Sequence, residues 1–87
     1  MSFHVRWAQG GTALVLRLSA DSIALRSTVS WPPGSRVEGV GVEDERTRLR
    51  VKVHACHREP EGEFLVEGRP LDLTRETREK MTRSIEP

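Results

Sequence analysis

The sequence predicts an all-β domain with one C-terminal helix, folded as a six-stranded antiparallel β-barrel. Three observations carry that expectation. Apolar and polar residues alternate with period two in several short runs. Turn signals rich in glycine, proline, serine and aspartate separate those runs at near-regular spacing. The period then changes to four over Leu73, Thr77, Met81 and Ile85, the narrow stripe of a helix. A chain of 87 residues has room for one core, so residues 1–87 are read as a single domain.

Phe3 to Trp7 reads as the opening strand. Thr12 to Leu18 is the second, with Leu14, Leu16 and Leu18 on one side and Ala13, Val15 and Arg17 on the other. A short turn at Ser19-Ala20-Asp21 leads to a third strand carrying Ile23 and Leu25. Trp31-Pro32-Pro33-Gly34 is a loop, because two prolines lack backbone donors and Gly34 tolerates a positive φ. Arg36 to Glu43 is the fourth strand, and it contains a phase slip. Val37 falls opposite to Val40 and Val42, with Gly39 between them, so a bulge is expected at Gly39.

The tip Glu43-Asp44-Glu45-Arg46 joins it to Thr47–His57, where the alternation is clearest. Leu49, Val51, Val53 and Ala55 form the buried set there, and Arg48, Arg50, Lys52, His54 and Cys56 the wet one. Glu59-Pro60-Glu61-Gly62 fits a turn with proline second and glycine fourth. Phe64 to about Arg69 is the sixth strand. In the helix, Thr74 or Asp72 is the expected cap. Glu76 with Lys80 and Glu79 with Arg83 are acid-before-base pairs at i,i+4, each worth about 0.3 kcal/mol.

Composition narrows the function classes. Apolar residues make up 36% and charged residues 31%, the balance of a small folded domain and not of a disordered tail. A net charge of +1 argues against a dedicated nucleic-acid binder. Cys56, the single cysteine, cannot form an internal disulfide, which suits a reducing compartment. The N-terminal residues hold no apolar signal core, and no apolar run is long enough to span a bilayer, so a cytoplasmic protein without membrane insertion is expected.

The order of features resembles the PilZ domain of bacteria. Leu16-Arg17-Leu18-Ser19-Ala20-Asp21-Ser22-Ile23-Ala24-Leu25 is similar to the strand–turn–strand that carries that family's D/N-x-S-x-x-G motif. Trp31-Pro32-Pro33-Gly34-Ser35-Arg36-Val37 is similar to the proline-glycine approach to its next strand, and Glu63 to Ile85 to its last strand and helix. The resemblance implies a six-stranded barrel with a C-terminal helix, and many members of the family bind cyclic di-GMP.

The departures from the family pattern bear on the ligand. With Ser19 aligned on the family's serine, Arg17 occupies the place of an Asp or Asn, and Ser22 that of a glycine. Arginine only donates hydrogen bonds and cannot accept from a guanine edge. Ser22 brings a Cβ that penalises any positive φ. The family's R-x-x-x-R clamp precedes the first strand, where this sequence has Met1 and Ser2. Arg46-Thr47-Arg48-Leu49-Arg50 repeats the letters on another hairpin. One charge-assisted contact is worth roughly 1.5–3 kcal/mol, so weak binding or none is expected.

What the resemblance implies is a regulatory or adaptor module in bacterial second-messenger, motility or surface signalling. Such a module acts by protein–protein contact, with no cofactor, and Trp31 and Pro33 form its contact loop. Tryptophan is favoured at binding hot spots, and a proline-stiffened loop loses little entropy on docking. The other reading of Trp7 and Trp31 is core packing or a lid over the barrel mouth. The alternative is a direct cyclic di-GMP receptor with an atypical site built from Arg6, Arg17, Ser19, Asp21 and Ser22. A nucleic-acid-binding barrel using Arg48, Arg50 and Lys52 is a further alternative, although aromatic content of only 5% supplies few stacking surfaces.

Metal and enzyme chemistry find less support. His54 and Cys56 would share a strand face while His57 turns away, and two ligands do not complete a tetrahedral site. His4 is the only other histidine, and Ser19, Asp21 and Ser22 have none beside them in sequence. Glu43 and Glu45 lie on a solvated hairpin tip. The helical stripe is expected to pack on the barrel, with a second copy of the chain as its other possible cover.

Overall fold

A computed structural model describes residues 2–85. Six strands precede one helix: β1 (Phe3–Trp7), β2 (Thr12–Leu18), β3 (Ile23–Ser27), β4 (Arg36–Gly41), β5 (Arg48–Arg58), β6 (Phe64–Leu71) and α1 (Arg75–Ile85). The strands close into a barrel in the order β1-β2-β3-β6-β5-β4, with every pairing antiparallel and β4 joined back to β1. The expected fold class is the observed one.

The barrel interior is dry and aliphatic. Val5, Val15, Leu25, Leu49, Val51, Val53 and Val66 are each at most 2% exposed, and each such side chain contributes about 1.5–3 kcal/mol of transfer free energy. The interior row of β5 holds Leu49, Val51 and Val53 as its alternation predicts, but Ala55, the fourth residue expected there, is only half-buried beyond a register shift.

β4 corrects the expected bulge. Its register against β5 runs without interruption from Arg36↔Lys52 to Val40↔Arg48. Val37, Gly39 and Gly41 face inward, and Val42, beyond the strand end, is 45% exposed. The apparent phase slip arises because the two inward positions hold glycines, where β1 side chains and neighbouring backbone leave no room for a Cβ. A Cβ on Gly39 would stand 2.5 Å from Val5 Cγ1, and one on Gly41 2.8 Å from the Asp44 carbonyl oxygen and 3.1 Å from the Phe3 ring.

The bulges lie elsewhere. The β2–β3 register shifts between Val15 and Arg17, and the β5–β6 register between Val53 and Ala55. An extra residue reverses the faces beyond it. Leu18 therefore joins Ala13 and Val15 against the core, while Leu14 is left half-buried on the wall. Cys56 likewise packs against the core instead of sharing the wet face with exposed His54. The two groups that resembled a metal pair thus stand on opposite sides of β5.

Each barrel end has its own cover. Trp7 is buried and donates from Nε1 to Ser27 Oγ at 3.1 Å. The Trp31 ring meets Trp7 edge-on, with centroids 5.8 Å apart. Fully buried Ser27 also donates to the Val29 carbonyl at 2.7 Å and accepts from the Val29 N–H at 3.2 Å. Ser27→Ala should therefore leave three polar groups short of a partner and cost about 2–4 kcal/mol, measurable as a lowered denaturation midpoint.

Helix α1 covers the other end, packing on β1 and β2. Met81 is fully buried in the core, with Leu73 and Ile85 packed beside it. Thr74 is the cap, its Oγ1 accepting from the Thr77 N–H at 3.1 Å, whereas Asp72 takes a positive φ of 51° and binds Arg50. The expected pairs Glu76–Lys80 and Glu79–Arg83 do not form. Glu79 pairs with Arg75, and Lys80 reaches Asp44 in the β4–β5 connection.

The Lys80 ammonium, with the Arg46 N–H, holds the Asp44 carboxyl below its ordinary value of 3.8. A depressed carboxylate stabilises the fold above 3.8 and loses that contribution as pH falls through its folded pKa. Thermal melts of wild type and Asp44→Asn should therefore differ at neutral pH and converge in acid.

Candidate functional site

The serine turn between β2 and β3 is built by its own hydroxyls. The Ser19 N–H donates to the Ser22 carbonyl at 2.9 Å, closing the turn. Ser19 Oγ accepts from the Ser22 N–H at 3.1 Å and lies 3.0 Å from Ser22 Oγ. A serine oxygen bonding the amides that follow it stabilises a tight turn locally. No positive φ occurs here, so Ser22 is unstrained in the place where glycine was expected. Asp21 is exposed, and its N–H lies 3.4 Å from Ser19 Oγ.

The five proposed ligand residues do not converge. Arg17, Ser19, Asp21 and Ser22 surround the turn at the helix-covered end. Arg17 points along the wall, exposed, with Glu67 at 3.8 Å. Arg6 sits in register with Thr12 and Val40, toward the opposite end. The rise of β2 from Thr12 to Ser19 separates it from the turn by roughly 20 Å. Its guanidinium binds Glu45 at 3.1 Å. Arg6 is therefore no substitute for a phosphate clamp beside Ser19, which corrects that part of the sequence expectation.

Arg6 instead borders a groove of about 680 Å³ on the outer wall of β1, β4 and β5. Its charged lining is mixed, with Glu38 and Glu45 beside Arg6, Arg48 and Arg50. Arg50 is engaged by Glu38 at 3.8 Å and Asp72 at 2.6 Å. This groove lies away from the serine turn.

The proline loop divides its residues between two tasks. Trp31 is half-buried against the core, and its Nε1 is buried without a hydrogen-bond partner among the described residues. Pro32, Pro33 and Gly34 are exposed. Gly34 has φ 91°, and the Ser35 N–H closes the turn on the Pro32 carbonyl at 3.1 Å. The Gly34 N–H and Ser35 carbonyl pair with Val53, tying the loop to β5. Trp31 is thus a lid, and Pro33 is the exposed part of the expected contact loop.

One arrangement escaped the sequence reading. Arg36 on β4 stands opposite Lys52 on β5, and Lys52 stands opposite Arg69 on β6. Arginine and lysine along β5 are visible as letters, but the row across strands exists only once register is known.

Comparison with family models, curated proteins and solved structures gives no match. The fold and site therefore define a class, a closed six-stranded antiparallel barrel covered by a C-terminal helix. No helix among the described residues is long and apolar enough to cross a membrane.

Proposed function

We propose that this chain is a non-catalytic interaction module of PilZ type. It serves bacterial second-messenger, motility or surface signalling through protein–protein contact, and it does not bind cyclic di-GMP in the usual way. The supporting observation is the state of the serine turn. The Ser19 hydroxyl is engaged within its own turn, and Arg17, with Glu67 as its neighbour, offers donors where a guanine edge needs an acceptor. Isothermal titration with cyclic di-GMP is expected to give no heat of binding in the micromolar range. A submicromolar dissociation constant would overturn the proposal and restore a receptor built on Arg17, Ser19, Asp21 and Ser22.

A further inference from the structure

Like charges directly opposite each other on neighbouring strands destabilise a sheet. The row Arg36–Lys52–Arg69 places three of them side by side on β4, β5 and β6. Adjacent strands are spaced about 4.8 Å apart, so the row spans about 10 Å of the wall. Arg36 and Arg69 are exposed and Lys52 is half-buried.

Elsewhere on the wall isolated arginines occur with and without a partner. Among the described residues, Arg48 and Arg58 on β5 have no acid within ion-pair distance, but neither stands opposite another cation in the register. Arg6, Arg17, Arg26 and Arg50 each have an acidic neighbour within ion-pair distance. Among the described residues, Arg36, Lys52 and Arg69 have none. The acids two residues along β4 and β6 lie nearer other guanidiniums, Glu38 at 3.8 Å from Arg50 and Glu67 at 3.8 Å from Arg17. The exposed Pro32–Gly34 turn borders the row, because Gly34 and Ser35 hydrogen-bond Val53 next to Lys52.

We propose that the Arg36–Lys52–Arg69 row, flanked by the Pro33 turn, docks an acidic segment of a partner protein; this deepens the interaction-module reading and rests on it. Carboxylates would supply the counter-charge that the chain itself withholds from the row. A polypeptide fits better than a nucleic acid because aromatic stacking surface is scarce. Phe3 and Trp7 are buried, Trp31 and Phe64 are half-buried, and the Trp31 ring is packed edge-on with Trp7.

The test uses fluorescence anisotropy with labelled poly-glutamate and with labelled oligo(dT), on wild type, Lys52→Glu and Arg58→Glu. Poly-glutamate should bind wild type, more weakly as salt rises. Lys52→Glu should weaken that binding roughly tenfold while raising the melting temperature by roughly 3 °C, since it relieves the repulsion. Arg58→Glu makes the same charge change at the exposed far end of β5, and should leave affinity within about twofold. Unchanged binding in Lys52→Glu, an equal loss in Arg58→Glu, or tighter binding of oligo(dT) than of poly-glutamate overturns the proposal. Titration with cyclic di-GMP is a separate arm: heat there removes the adaptor reading, whereas the peptide arm alone judges the row.

Discussion

Gly68→Ala is expected to destabilise the barrel by about 3 kcal/mol or more. Gly68 is buried in β6, between Ile23 of β3 and Val53 of β5. A Cβ there would press into the Lys52 carbonyl oxygen and stand 3.0 Å from Val51 Cγ1. The obstacle is mostly backbone, which cannot swing aside as a flexible side chain does. Small domains have total stabilities of roughly 5–15 kcal/mol, so this one methyl group removes a large share. Urea denaturation reads the effect directly. A loss below about 0.5 kcal/mol would mean that β5 and β6 do not approach as described.

Met81→Ala is expected to cost about 2–5 kcal/mol. Met81 is the one fully buried residue of α1, and it carries the helix onto the barrel end. Truncation leaves a void among core side chains that are anchored in strands and cannot follow the missing atoms. The damage should be local first: amide exchange should quicken in α1 and at the paired ends of β1 and β2. Glu76→Ala, exposed on the same helix, should change stability by less than about 0.5 kcal/mol. Equal effects of the two substitutions would remove the helix from its place as an end cover.

Much of this architecture was legible from the chain. β1 and β2 begin and end where alternation and turn residues place them, and the helix starts after the Thr74 cap. The failures share a cause. Alternation reports a period, but not which side is inward once a residue is inserted. Leu16 and His54 carry no local mark of a bulge, so strict alternation puts Leu18 and Cys56 on faces they do not occupy. Gly39 looked like a break because glycine has no side chain to declare a face. In the candidate site, the identities of Arg17, Ser19 and Ser22 were plain, but the internal bonding of the Ser19 hydroxyl and the distance to Arg6 depend on tertiary structure. Residues from three strands meet in the basic row, which no window along the chain contains.

Closure of the sheet has a consequence for how any partner is read. Each of the six strands has a neighbour on both sides over part of its length. That leaves an incoming chain little main-chain ladder to extend beyond the far end of β5, where residues 54–58 pair with β6 alone. Elsewhere the surface offered to another molecule consists of projecting side chains and loop tips. Those positions can change in chemistry while the closed, hydrogen-bonded frame beneath them stays the same.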